Sequence, residues 1–187
     1  MLMNDTDEVW QAYTDYGEPI IDLPLQKASA NRGTLHGASH VWIVRTTDSK
    51  TEVLLQRRAP NKVTWPNLYD ISAAGHINFG ESPIQAAIRE TQEELGLAIS
   101  AAELQLLFVH HARLKAAPGI IENELQWVYL YITQRDIILH GEDDEVSSLK
   151  WISLEQLTAM RRGQQLVPHA SVYFESLLAE IHYLIAA

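Results

Sequence analysis

A chain of 187 residues, 47% of them hydrophobic, can bury a full core, and its length fits one domain better than two. Its formal net charge of −10 makes the surface repel polyanions, so neither nucleic acid nor an anionic membrane is expected as a partner. The absence of cysteine excludes disulfides, thiolate nucleophiles and zinc–thiolate sites and is compatible with a reducing cytoplasm.

The opening segment, Met1 to Tyr13, has no basic flank followed by an apolar run, and no apolar stretch reaches the roughly 20 residues of a membrane span, so a soluble, cytoplasmic protein is expected. Runs of branched and aromatic residues predict strands over Val9 to Thr14, Ala38 to Arg45 and Glu52 to Gln56. A helix follows over Ser82 to Leu95. Further strands are predicted over Leu104 to Arg113, Glu124 to Thr133 and Ser148 to Ile152, and helices over Leu154 to Arg161 and Ser171 to Ile185. The Ala116 to Gly119 stretch and the acidic run Glu142 to Glu145 read as exposed loops. Strands on both sides of one central helix, with more helices at the C-terminal end, predict an α/β (α+β) fold in which a mixed sheet lies between helices.

The segment from Gly75 to Leu97 carries the chemistry. Ser82 can cap a helix, Pro83 suits its first position, Gln85 completes a capping box, and Gly96 supplies a left-handed stop. Ile84, Ala87, Ile88, Thr91 and Leu95 then line one face, while Glu90, Glu93 and Glu94 fall at i, i+3 and i+4 on another. An arbitrary acidic triplet is more often a solvated face. If these three share a confined site, however, their repulsion calls for a cation, and carboxylate oxygens suit Mg2+ or Mn2+.

The surrounding residues decide between those readings. Gly75, Glu81, Arg89, Glu90, Glu93, Glu94, Gly96 and Leu97 match the Nudix box, G-x5-E-x7-R-E-U-x-E-E-x-G-U with U aliphatic, so the chain resembles the Nudix hydrolases. The resemblance implies that Glu90, Glu93 and Glu94 bind metal with help from the Gly75 carbonyl, that Arg89 orients these glutamates by ion pairing, and that Glu81 supports loop and helix. Thr91 departs from the aliphatic pattern; its hydroxyl can bond back to a carbonyl one turn earlier. From Leu35 to Ile152 the chain is also similar to type I isopentenyl diphosphate isomerase and related Nudix hydrolases. The likeness rests on the segments Gln56 to Pro66, Leu35 to Trp42 and Gly119 to Leu125, and on Asp144 to Val146 leading to Trp151. It implies one Nudix α/β/α sandwich over 1–187, with an N-terminal extension 1–34, a core 35–165 and a C-terminal helix within 166–187.

Arg57, Arg58 and Lys62 can supply charge-assisted hydrogen bonds to a diphosphate. Glu122 and Glu124 are two apart, so on a strand they share a face, and Glu124, or failing that Glu122, can complete a metal shell or serve as general base. His36 and His76 match positions that contribute to a metal site in the isomerase, and His40 stands near them. A further isomerase histidine has no counterpart here, with Ser29 near its position. Ala74 stands where the isomerase has its catalytic cysteine, and Pro168-His169 where it has a tryptophan. The full box without the cysteine points to hydrolysis of a diphosphate linkage in a nucleoside diphosphate derivative or a prenyl diphosphate, with Mg2+ or Mn2+. Its catalytic residues would be Glu93, Glu94, Glu122 and Glu124. Trp42, Trp65, Trp127 and Tyr129 can stack a base or line a prenyl pocket, though large aromatics in strands are more often core. An isomerase with a displaced acid and a non-catalytic diphosphate-binding module are the rival readings. The expected partner is a small-molecule diphosphate; a homodimer is admitted, since the sequence does not specify the oligomeric state.

Overall fold

The computed structural model describes residues 8–47, 50–134, 137 and 145–186. Its strands are β1 (Val9–Tyr13), β2 (Pro19–Gln26), β3 (His36–Thr47), β4 (Lys50–Arg58), β5 (Tyr69–Asp70), β6 (Ala73–His76), β7 (Gln105–Ala117), β8 (Ile120–Thr133) and β9 (Val146–Ser153). The helices are α1 (Lys27–Ala30), α2 (Pro83–Leu95), α3 (Leu154–Arg162) and α4 (Ser171–Ala186). Every strand and helix read from the sequence is present, with shifted ends. Missing from that reading were β2, which carries Pro19 and Pro24 and is tolerated because it pairs only with β1, and α1, β5 and β6, which are too short to show a period.

The sheet is mixed, and β3 is its hub. It runs antiparallel to β4 and β6 and parallel to β8, while β9 pairs with β4 and β7 with β8. Successive strand residues point to opposite faces, and both faces are apolar here. Val41, Ile43, Leu54, Tyr129 and Tyr131 pack with Ala87 and Leu95 of α2. Trp42, Val44, Val53, Leu55, Val128 and Leu130 pack with Leu157 of α3 and with Tyr173, Phe174, Leu177 and Ile181 of α4. Each fully buried aliphatic side chain among them contributes about 1.5–3 kcal/mol, so helices are held on both sides in the expected α/β/α sandwich. The Tyr173 hydroxyl accepts from Trp42 Nε1 at 3.0 Å and lies 2.9 Å from His40 Nδ1, which ties α4 to β3.

The N-terminal strands join this body. Ala12 pairs with His36, and Gln11 N–H donates to the Ile77 carbonyl at 2.8 Å. Pro118 and Gly119 form an exposed turn between β7 and β8, with Gly119 at φ 80°. Glu145 is exposed, whereas Glu142 to Asp144 and the opening residues Met1 to Asp7 lie outside the described residues. No described helix is long and apolar enough to cross a membrane.

Candidate active site

The start and stop signals of α2 act as the sequence indicates. Pro83 opens it, Gln85 Oε1 accepts the Ser82 N–H at 2.9 Å, and Gly96 at φ 65° ends it. Thr91 Oγ1 donates to the Ala87 carbonyl at 2.7 Å, so the odd residue of the box satisfies its own hydroxyl. Arg89 is the organiser. It donates to both oxygens of Glu81 at 3.0 Å, to Glu90 at 2.6 Å, to Glu93 at 2.9 Å and to the His76 carbonyl at 2.9 Å. Burial disfavours its charge, but Glu81 and Glu90 outweigh that and hold the guanidinium protonated.

Glu94 is held separately, accepting from Gln56 Nε2 at 3.1 Å and from the Ala74 N–H at 2.9 Å. The Glu90 carboxylate fills the space that a Cβ at residue 75 would need, so only glycine allows this approach. Burial pushes the Glu90 carboxyl up to about 7 despite Arg89, and burial together with the charge of Glu90 pushes Glu94 well above the usual range. The helical spacing places Glu90, Glu93 and Glu94 on one face of α2, and in the structure they divide between two sets of partners. Arg89 draws Glu90 and Glu93 to itself, while Gln56 and Ala74 anchor Glu94. Among the described residues, only His36, His76 and Glu124 bring three ligating atoms within 4.8 Å of one another.

That second cluster is made by sheet register. The parallel pairing sets Glu124 beside His36, and the antiparallel pairing sets His76 beside Ala38, two residues along the same face of β3. Glu124 Oε1 lies 3.4 Å from His76 Nε2 and 3.7 Å from His36 Nε2. His36 Nδ1 stands 2.8 Å from the Thr34 carbonyl, which can only accept, so Nδ1 carries a proton, and Nε2 lies toward Glu124 at 3.7 Å without a hydrogen-bond partner. Burial pushes Glu124 up, but His36 and His76 outweigh it and hold the carboxyl well below its usual range. Burial lowers the His76 imidazole more than Glu124 raises it. Trp10 covers both rings, lying flat on His76 with centroids 3.5 Å apart and on His36 at 5.2 Å. Ser29 is engaged by Arg32 at 3.0 Å.

A cavity of ≈ 140 Å³ opens here, bordered by Ala74 and His76 of β6, Glu122 and Glu124 of β8, and Trp65 and His169 from two loops. Glu122 is pushed up to about 7 by burial and by its neighbour Glu124. The two carboxyls of one strand face thus differ, one near neutrality and one firmly charged. Ala74 and Pro168-His169, where this chain departs from the isomerase pattern, both border this space. Of the basic candidates only Arg58 does so, and it is bonded to Asp70 at 3.2 Å and to the Thr64 carbonyl. Lys62 pairs with Glu145 at 2.8 Å, and the exposed Arg57 donates to the Asn67 carbonyl at 3.2 Å. Trp42, Trp127 and Tyr129 pack in or against the core, leaving Trp65 as the one of the four aromatic candidates at the cavity.

A NUDIX domain family model matches residues 37–173. The chain belongs to the Nudix hydrolase superfamily. An uncharacterised Nudix hydrolase of Clostridium acetobutylicum is 33% identical over 144 residues, covering 76% of this chain and 69% of that protein. An isopentenyl-diphosphate Delta-isomerase of Paenarthrobacter aurescens is 34% identical over 152 residues, or 81% of this chain and 78% of that one. A crystal structure of a Deinococcus radiodurans protein superposes with a TM-score of 0.65 at 20% identity, over 87% of this chain and 93% of that one, and shows a shared fold. Around this Nudix box no local pattern marks Trp10 or Gln126, which reach the site on strands β1 and β8.

Proposed function

We propose that this Nudix chain hydrolyses a diphosphate linkage in a small organic substrate, a nucleoside diphosphate derivative or a prenyl diphosphate, with Mg2+ or Mn2+. One observation carries this reading: Glu94, buried and fixed by Gln56 and the Ala74 N–H, sits beside Glu90 with both carboxyls held above their usual range. Two such groups gain their charge when a cation arrives, and an all-oxygen donor set suits a hard ion. Glu90, Glu93 and Glu94 would hold it, with the Gly75 carbonyl and Glu124 as further donors. When bound, the ion would polarise a diphosphate oxygen and lower the pKa of a coordinated water.

The chain's own residues then have distinct tasks. Arg57, Arg58 and Lys62 would hold non-bridging oxygens; Arg57 gives up least, whereas Lys62 must exchange Glu145 for substrate. Glu122 is better suited than Glu124 to take the proton from the attacking water, because its pKa of about 7 matches the working pH and Glu124 is committed to His76. As the water oxygen bonds to phosphorus, the bridging P–O bond breaks, the leaving phosphate takes the electron pair, and the water proton passes to the Glu122 carboxylate. Isomerisation is the weaker reading, since the Ala74 methyl group has no proton to transfer. Phosphate or pyrophosphate release is measured across nucleoside, dinucleotide and prenyl diphosphates, with and without a chelator. Metal-dependent release from one class supports hydrolysis, and dimethylallyl diphosphate formed from isopentenyl diphosphate would reverse the choice.

A further inference from the structure

We infer that β1, which lies outside residues 37–173 of the Nudix match, is a positioning strand for the carboxylates of the site. Trp10 sets the plane of His76 and through it Glu124, and Gln11 fixes the segment that leads from Gly75 into α2. This rests on the hydrolase reading for the cation those carboxylates hold, and it adds two residues that act only through others.

The segment from His76 to Glu81 leaves β6 and forms no helix before Pro83, so its position depends on what holds it. On the α2 side, Arg89 Nη2 donates to the His76 carbonyl at 2.9 Å, and Glu81 Oε2 accepts the Asn78 N–H at 3.0 Å. On the β1 side, the Gln11 N–H donates to the Ile77 carbonyl at 2.8 Å and the Phe79 N–H to the Val9 carbonyl at 2.9 Å. The Gly80 N–H adds a third bond, to Gln11 Oε1 at 3.0 Å. Arg89 is therefore one half of a clamp on this segment, and β1 is the other.

The Gln11 side chain is 3% exposed and fully engaged. The β1–β2 register shifts between Gln11 and Tyr13, and there Nε2 donates to the Ala12 and Ile20 carbonyls at 2.9 and 3.0 Å. With its donors used on β1 and β2, the amide presents Oε1 to Gly80, so one side chain joins the N-terminal hairpin to the approach to the box. An apolar side chain of the same length would leave those backbone groups unpaired.

Trp10 acts on the other carboxylate set. Its indole lies 11° from parallel to the His76 ring with centroids 3.5 Å apart, and it also covers His36. Among the described residues the His76 ring has no polar partner besides Glu124, 3.4 Å from Nε2, so the indole sets the plane of the ring and Glu124 its edge. A residue that merely fills the core needs bulk; one that orients an imidazole needs a flat ring. Removing an outer partner of this kind lowers metal affinity by about 10–100-fold.

The test is Mn2+ binding to the full chain, read from the electron paramagnetic resonance of the free ion, beside urea unfolding of each variant. Trp10→Leu and Gln11→Met should each weaken Mn2+ binding about tenfold, whereas Trp10→Phe, which keeps a flat ring, should stay within about twofold of wild type. Leu177→Ala in α4, on the opposite face of the sheet, is the control for lost stability: its unfolding midpoint should fall while Mn2+ affinity stays within about twofold. If Trp10→Leu does not fold, Gln11→Met carries the test. Wild-type affinity in the folded variants overturns the positioning role, as does an equal loss in Trp10→Phe and Trp10→Leu or a comparable loss in Leu177→Ala. Those outcomes leave the hydrolase reading standing, because wild type still binds the ion; a wild-type chain that binds no Mn2+ overturns both.

Discussion

On one side of β6, Arg89, Glu90, Glu93 and Glu94 come from six consecutive positions of α2, and helical rise alone brings them near one another. On the other side, His36, His76 and Glu124 come from three strands, with His169 added from a loop. The first set is local to the helix, with Gln56 and the Ala74 N–H added to fix Glu94. The second depends on pairing: a one-residue slip between β3 and β8 would turn Glu124 away from His36 and to the opposite face. Local spacing thus encodes the charged groups, whereas long-range register encodes the cavity they serve.

Mutations can break this division from either side. The largest effect is expected for Glu94→Gln, with turnover lower by about 10³-fold and circular dichroism and unfolding midpoint nearly unchanged. An active Glu94→Gln enzyme would show that α2 carries no chemistry. Arg89→Ala should cost about 3 kcal/mol in urea unfolding, because it leaves Glu81 and Glu90 largely buried without their common partner. A loss near zero would mean that the carboxylates are not held by Arg89.

Across the sheet, Glu122→Gln should lower kcat by about 10²-fold, and Glu124→Gln should act through metal affinity instead. A base with a pKa of about 7 works only when deprotonated, so wild-type kcat should fall as pH drops through 7. Loss of that acid limb in Glu122→Gln, at saturating metal, assigns it; an unaltered limb removes Glu122 from the role. The smallest effect concerns metal alone. Protons on Glu90 and Glu94 compete with the ion, so affinity should rise with pH as these groups ionise. At tenfold excess over Kd near pH 8, Mg2+ should stabilise by about 1.4 kcal/mol, roughly 3–5 °C in Tm, with little effect near pH 5.5. An equal shift at both pH values would place the ion away from these carboxylates.

What could be read in the chain follows the same division. The box, its caps, the bond of Thr91 to Ala87 and the alternation that covers both sheet faces are local patterns, and the structure reproduces them. Spacing along the helix does not reveal that one arginine gathers two of the three glutamates. The sequence offers Arg58 and Lys62 to a diphosphate without showing that Asp70 and Glu145 already engage them. Neither the pairing of His36 with Glu124 nor the approach of His169 has any local signature, since parallel register and loop placement emerge only from the packed sheet.

The family model spans residues 37–173 and leaves out side chains that build the site and the core described here. Trp10 and His36 precede it, and Phe174, Leu177 and Ile181 follow it. A version trimmed to the shared stretch would retain every glutamate of the box. It would also lose the indole that roofs His76 and much of the helix that backs β3, so a cut at the family boundaries would spare the charged helix and strip the cover from the histidines.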